Sequence, residues 1–298
     1  MGGATESPLG ARSVEANGLE FGILEAGEGP LALCLHGFPD TAHSWRHLLP
    51  ALAGAGFHAV APFSRGYAPT EIPTDGSYTM GALIADAVAL HDALGGDEGA
   101  VLIGHDWGAA TAYGAGAFAP DRWRRLVGIA VPPFSLNPRM FGDFDQLRRF
   151  FYFFLFGTPF AEPAVAASEL AFIDRLWRDW SPDYDPREDL PLVKDSIRDP
   201  ANLAAAIGYY RAVLQTLTGS GEADPYAAET AALVSICQQP TLYLHGDRDG
   251  CIALELVADA EEHLSPGSSM EVVEGAGHFL HLERPTEVNE RILAWIAA

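Results

Sequence analysis

The chain has 298 residues, 48% of them hydrophobic, and a formal net charge of −22 at pH 7. That length accommodates one large domain, or a domain carrying an insertion, with enough apolar side chains for a sizeable core. The charge excludes a nucleic-acid partner, because neutralising a phosphate backbone needs clustered cations and the only lysine is Lys194.

The acidity itself implies solubility rather than any one activity. Cys34, Cys237 and Cys251 make an odd set without metal-ligand spacing. They read as buried thiols of a reducing, cytoplasmic protein with no disulfide framework, metal or organic cofactor. Met1–Arg12 is small and polar, unlike the basic start and apolar run of a secretory leader. Composition leaves the oligomeric state, monomer or homodimer, open.

In chain order, Val14–Ala16, Asn17-Gly18 and Leu19–Leu24 predict a hairpin, since Asn-Gly is the favoured two-residue turn. The period then changes. Leu31–Leu35, Phe57–Val60, Ala100–Ile103, Leu126–Ala130 and Thr241–Leu244 are short, continuously apolar runs, as strands buried on both faces require. Between them lie helical patterns such as Met80, Leu83, Ile84, Ala87, Val88, His91 and Leu94, spaced i, i+3, i+4, i+7. This alternation predicts an α/β fold, a mostly parallel sheet flanked by helices.

From Phe134 to Ala231 the alternation stops and helical, Pro-rich, aromatic segments take over. The expected organisation is a core of residues 1–133 and 232–298 with a helical cap at 134–231. The aromatic run Phe150–Phe156 falls well short of the ~20 apolar residues of a spanning helix, so no membrane insertion is expected. It is expected to be buried or to line a pocket.

Four motifs stand at strand ends. Gly104-His105-Asp106-Trp107-Gly108 has the G-x-S-x-G form of a nucleophile elbow, with a carboxylate in place of the serine. His36-Gly37-Phe38-Pro39 follows an apolar strand, where the Phe38 amide and the Trp107 amide of the elbow can form an oxyanion hole. His245-Gly246-Asp247-Arg248-Asp249-Gly250 puts two carboxylates after another strand, and either could orient a histidine. That histidine is His278, in a Gly-rich loop after Met270–Val273. The order nucleophile, acid, histidine is that of an elbow hydrolase.

Over nearly its whole length the chain resembles the α/β-hydrolase group that contains soluble epoxide hydrolases and the haloalkane and haloacetate dehalogenases. Val60–Ala68 resembles the group's Pro-Asp-x-Arg-Gly-Tyr-Gly stretch, with Phe63 or Ser64 where the usual aspartate stands, and Gly277–Pro285 resembles its histidine loop. The resemblance implies Asp249 as the acid. It also implies that Tyr210, before Arg211 in a Tyr-Arg segment, donates a proton to the opening ring. Tyr152 is the second candidate, in a segment with Gly157 where Gln is common. His36, Trp107, Tyr209 and Phe151 are expected to contact substrate.

An ionised carboxylate needs no base to attack an sp³ carbon, so Asp106 implies alkylation of the enzyme followed by hydrolysis of the resulting ester. An epoxide oxygen leaves poorly without an acid, and tyrosine, with a pKa of ~10, can supply one. The reading is therefore an epoxide hydrolase acting on a small apolar epoxide. The alternatives are a dehalogenase or a non-catalytic ligand receptor. Haloalkane dehalogenases generally carry Asn or Glu where Phe38 stands, and haloacetate dehalogenases carry arginines at and beyond Trp107, where Gly108–Tyr113 holds no cation.

Overall fold

Asn17 and Gly18, with φ of 46° and 72°, form the tight turn between β1 (Gly10–Ala16) and β2 (Leu19–Ala26). The computed structural model describes residues 9–220 and 223–298. Met1–Pro8, most of the stretch on which the expectation about a leader rests, lies outside the described residues, as do Gly221 and Glu222 of the expected cap.

The strands β3 (Leu31–Leu35), β4 (His58–Pro62), β5 (Val101–His105), β6 (Arg125–Ile129), β7 (Thr241–Gly246) and β8 (Ser269–Val273) complete an eight-stranded sheet of order β1-β2-β4-β3-β5-β6-β7-β8. All neighbours from β4 to β8 pair in parallel, and the hairpin joins β4 antiparallel. Every residue of β3, β5 and β7 is buried. Layers of helix on both faces leave no solvated side, which is why these strands read as unbroken apolar runs.

Before β6 stand α1 (Leu48–Gly54), α2 (Met80–Ala93) and α3 (Trp107–Phe118). Thr79 caps α2 through its hydroxyl, which accepts from Ala82 N at 3.3 Å. Between β6 and β7 no strand occurs among the described residues. The chain runs through α4 (Asn137–Gly142), α5 (Phe144–Arg149), α6 (Phe151–Phe156), α7 (Ala161–Trp180), α8 (Leu190–Ile197), α9 (Pro200–Thr218) and α10 (Ala227–Ala232).

The helix α7 is interrupted at Ala167–Leu170, where Ser168, Glu169 and Leu170 take positive φ. The last helix of this span, α10, lies against the core, with Gly81 N donating to Thr230 Oγ1 at 3.1 Å. After β8, α11 (Leu280–Glu283) and α12 (Pro285–Ala297) close the chain. Val288, Ile292 and Ile296, spaced i, i+4, i+8, give α12 its buried stripe.

Candidate active site

Asp106 sits between β5 and α3 with φ 55° and ψ −118°, a conformation that non-glycine residues rarely hold. The strain is locked in by packing. A Cβ on Gly104 would collide with the Gly108 carbonyl, and one on Gly108 with the Leu35 carbonyl, so the turn closes only because both lack side chains. Phe38 N donates to Asp106 Oδ1 at 2.8 Å. Trp107 opens α3, and its amide is one of the first-turn donors without an intrahelical acceptor. These are the two amides expected of the oxyanion turn.

His278 Nε2 lies 3.5 Å from Asp106 Oδ2, and His278 Nδ1 3.0 Å from Asp249 Oδ2. The carboxylate of Asp249 also accepts from Cys251 N at 2.7 Å and Ile252 N at 2.9 Å. Asp247, the other candidate, accepts instead from Gly275 N at 2.6 Å and so holds the histidine loop. Burial opposes a charge on His278, but the Asp249 carboxylate, with Asp106, outweighs it and pushes the imidazole pKa up to about 10. Burial also opposes ionisation of Asp249, yet the imidazolium holds that carboxyl below the usual carboxylate range. Asp249 and His278 therefore form a carboxylate–imidazolium pair, with Nε2 turned toward Asp106.

Over Asp106 lies an apolar cavity walled by Trp107, Phe150, Phe153, Val213 and Ile252, into which Tyr152, Tyr210 and Cys251 also face. The rings of Tyr152 and Tyr210 meet edge to face, with centroids 5.4 Å apart, and Tyr210 meets Trp107 in the same way at 5.0 Å. Burial first, and then the Asp106 charge, raises the Tyr210 hydroxyl well above its ordinary pKa. Tyr152 is raised by burial and by its neighbours Cys251, Tyr210 and Asp106. Both hydroxyls are therefore protonated at neutral pH.

Three expected substrate contacts point elsewhere. Tyr209 donates its hydroxyl to Arg65 O at 2.8 Å and stacks on Tyr78, because successive helical residues lie about 100° apart and only Tyr210 faces the cavity. Phe151 is separated from Tyr152 in the same way and lies 47% exposed on the outer side. His36 braces the loop behind the oxyanion turn, its Nδ1–H donating to Gly37 O at 2.8 Å and its Nε2 accepting from Ser64 N at 2.9 Å. The aromatic run accordingly splits, with Tyr152 and Phe156 buried and Phe151 and Phe154 exposed.

Residues outside the motifs hold the acid loop. Gln146 Nε2 donates to Cys251 O at 2.7 Å, Ala253 N donates to Gln146 Oε1 at 3.0 Å, and Arg149 donates to Asp249 O at 2.7 Å. Cys251 is buried like the other two thiols, but it also lines the cavity and lies 3.4 Å from the Tyr152 hydroxyl. No signal in the sequence links these positions, which lie about a hundred residues apart along the chain. Among the described residues one group has the closeness of metal ligands, the buried Asp40, His105 and His281, and none of the three lines the cavity. His105 Nε2 is already used, donating to His278 O at 3.0 Å.

A carboxyl at a strand-to-helix elbow, a loop amide donating to it and an acid–histidine pair at the carboxyl ends of parallel strands have the arrangement of a hydrolase site. Residues 30–285 match the family model described as alpha/beta hydrolase fold, and the chain belongs to that family. It is 31% identical to epoxide hydrolase A of Mycobacterium tuberculosis, over 99% of this chain and 98% of that protein. It is also 31% identical to epoxide hydrolase 3 of Siraitia grosvenorii, over 94% of this chain and 96% of that protein. Among solved structures, that of epoxide hydrolase A from Mycobacterium thermoresistibile gives a TM-score of 0.79 at 26% identity, covering 98% of this chain and 99% of that one. An epoxide hydrolase from Vigna radiata gives 0.78 at 28% identity, covering 99% of each chain.

Proposed function

We infer that this protein is an epoxide hydrolase that opens a small apolar epoxide to a vicinal diol through an ester on Asp106. One observation carries the reading: a carboxylate in the elbow faces the cavity that two buried tyrosines line, with His278 Nε2 3.5 Å behind it. Asp106 Oδ1 is held by the Phe38 amide, which leaves Oδ2 for attack on an epoxide carbon. As the new C–O bond forms, the ring C–O bond breaks, and the departing oxygen takes a proton from Tyr210 or Tyr152. Water, deprotonated by His278, then adds to the Asp106 carbonyl carbon, with the Phe38 and Trp107 amides receiving the oxyanion. Collapse expels the diol oxygen, which takes the proton of the new carboxyl group and so restores the carboxylate, and the proton held by His278 passes back to the tyrosinate.

The helices from α4 to α9 serve as a cap that carries the ring-opening tyrosines over the core; α10, packed on α2, belongs with the core. A halide would need N–H donors where the ring of Phe38 instead packs edge to face against Tyr210 at 5.1 Å and Phe156 at 5.5 Å. The test is diol formation from an aryl epoxide and bromide release from a bromoalkane of similar size, in wild type and Asp106→Ala. Diol without bromide is expected, and Asp106→Ala should lose roughly 10,000-fold in turnover. Bromide without diol would make the protein a dehalogenase. Binding with no turnover of either substrate would make it a receptor.

A further inference from the structure

The loops bearing the acid and the base fasten to one carbonyl of the helical insertion. Trp180 O, at the end of α7, accepts from Gly250 N at 3.1 Å and from His278 N at 3.0 Å. Both loops come this close because they present glycine: a Cβ on Gly250 would strike the Asp179 carbonyl, and one on Gly277 would stand 2.6 Å from Trp180 O. The indole of Trp180 packs edge to face on the His278 ring, with centroids 5.0 Å apart.

The next residue, Ser181, continues the attachment. Its hydroxyl accepts from Phe279 N at 3.1 Å and donates to Glu283 Oε1 at 2.7 Å. The Glu283 carboxylate accepts the Gly277 N–H at 2.9 Å from each oxygen. Three successive amides, those of Gly277, His278 and Phe279, are therefore gripped by Glu283, Trp180 and Ser181. The base has its own loop pinned from both sides, and neither Ser181 nor Glu283 lines the substrate cavity.

We propose that Ser181 and Glu283 are positioning residues that lock the His278 loop to the end of α7 and so aim the imidazole for the ester-hydrolysis half of the reaction. The proposal rests on the reading of Asp106 as nucleophile. Ring opening needs Asp106 and a tyrosine but no base, whereas ester hydrolysis needs His278 Nε2 aimed at a water beside the Asp106 carbonyl. Loosening the clamp therefore slows only the second half, and the alkyl-enzyme builds up. A clamp that merely stabilised the fold would reduce the active fraction and lower both halves in proportion.

The test follows Ser181→Ala and Glu283→Gln beside wild type and His278→Gln, each mixed with excess aryl epoxide, quenched at intervals and read by intact mass. The expected result is alkylation within about twofold of wild type, ester hydrolysis slower by on the order of tenfold, and a correspondingly larger steady-state ester fraction. Ser181→Ala leaves Glu283 and Trp180 in place, so the test stands even if Glu283→Gln fails to fold. An unchanged ester fraction, or equal slowing of both halves, overturns the clamp while adduct in His278→Gln leaves the reading of Asp106 intact. Absence of adduct in His278→Gln overturns that reading, and the clamp with it.

Discussion

At the residue scale, the proposed mechanism makes His278 a base through the loss of a partner. Facing two carboxylates it holds its proton to about pH 10, and an imidazolium cannot activate water. Esterification removes the charge of Asp106, 3.5 Å from Nε2, and with it part of what raised the pKa. In the proposed mechanism the imidazole, still paired with Asp249, gives up its proton more readily once the ester has formed. The tyrosines have the opposite requirement in the proposed mechanism, and burial keeps them protonated. Tyr210→Phe and Tyr152→Phe should each slow alkylation, by on the order of a hundredfold for a principal donor, and leave ester hydrolysis near wild type. Pre-steady-state alkylation kinetics distinguish the two, and a Tyr210→Phe rate equal to wild type would remove Tyr210 from the mechanism.

At the element scale, the elbow and the cap carry different kinds of information. The turn at Asp106 was legible because two glycines flank it in a pattern that steric crowding demands, and the apolar strands because burial on both faces tolerates nothing else. Gly104→Ala should therefore prevent the turn from closing and cost well over 1 kcal/mol, read as a fall in Tm. A Tm unchanged by that substitution would contradict the account of the elbow.

Arg65 offers a second check, because both Nε and Nη2 bind the buried Asp86 carboxylate, at 2.6 and 2.5 Å. Arg65→Ala should cost roughly 3–5 kcal/mol by stranding that charge, measured by denaturant unfolding. The phase of the helices between β6 and β7 was less legible. Adjacent aromatics such as Tyr209 and Tyr210, or Phe151 and Tyr152, look alike in the sequence, and only packing decides which member of each pair turns inward. The choice between Asp247 and Asp249 depended likewise on two loops meeting in space, and the role of Gln146 on a contact spanning 105 residues.

At the scale of the whole molecule, the raised pKa of His278 ties stability to pH. Unfolded, His278 titrates near its ordinary 6.5, and folded it is pushed up to about 10. A folded pKa above the unfolded one contributes stability that is fully present below pH 6.5 and is lost as pH rises through 10. Thermal unfolding of the wild type should therefore move to lower temperature across that window, while His278→Gln shows a flatter profile. A variant profile as steep as wild type would contradict the assignment of that proton. Among the described residues no helix is long and apolar enough to cross a membrane.

In the proposed mechanism Asp106 becomes esterified by an epoxide and His278 releases it. The most direct measurement is the intact mass of His278→Gln after incubation with an aryl epoxide, with peptide mapping of the adduct and a parallel incubation with a bromoalkane. The account predicts a gain equal to the whole epoxide, located on Asp106 and absent with the bromoalkane. No adduct, an adduct on another residue, or an alkyl group gained from the bromide would contradict it.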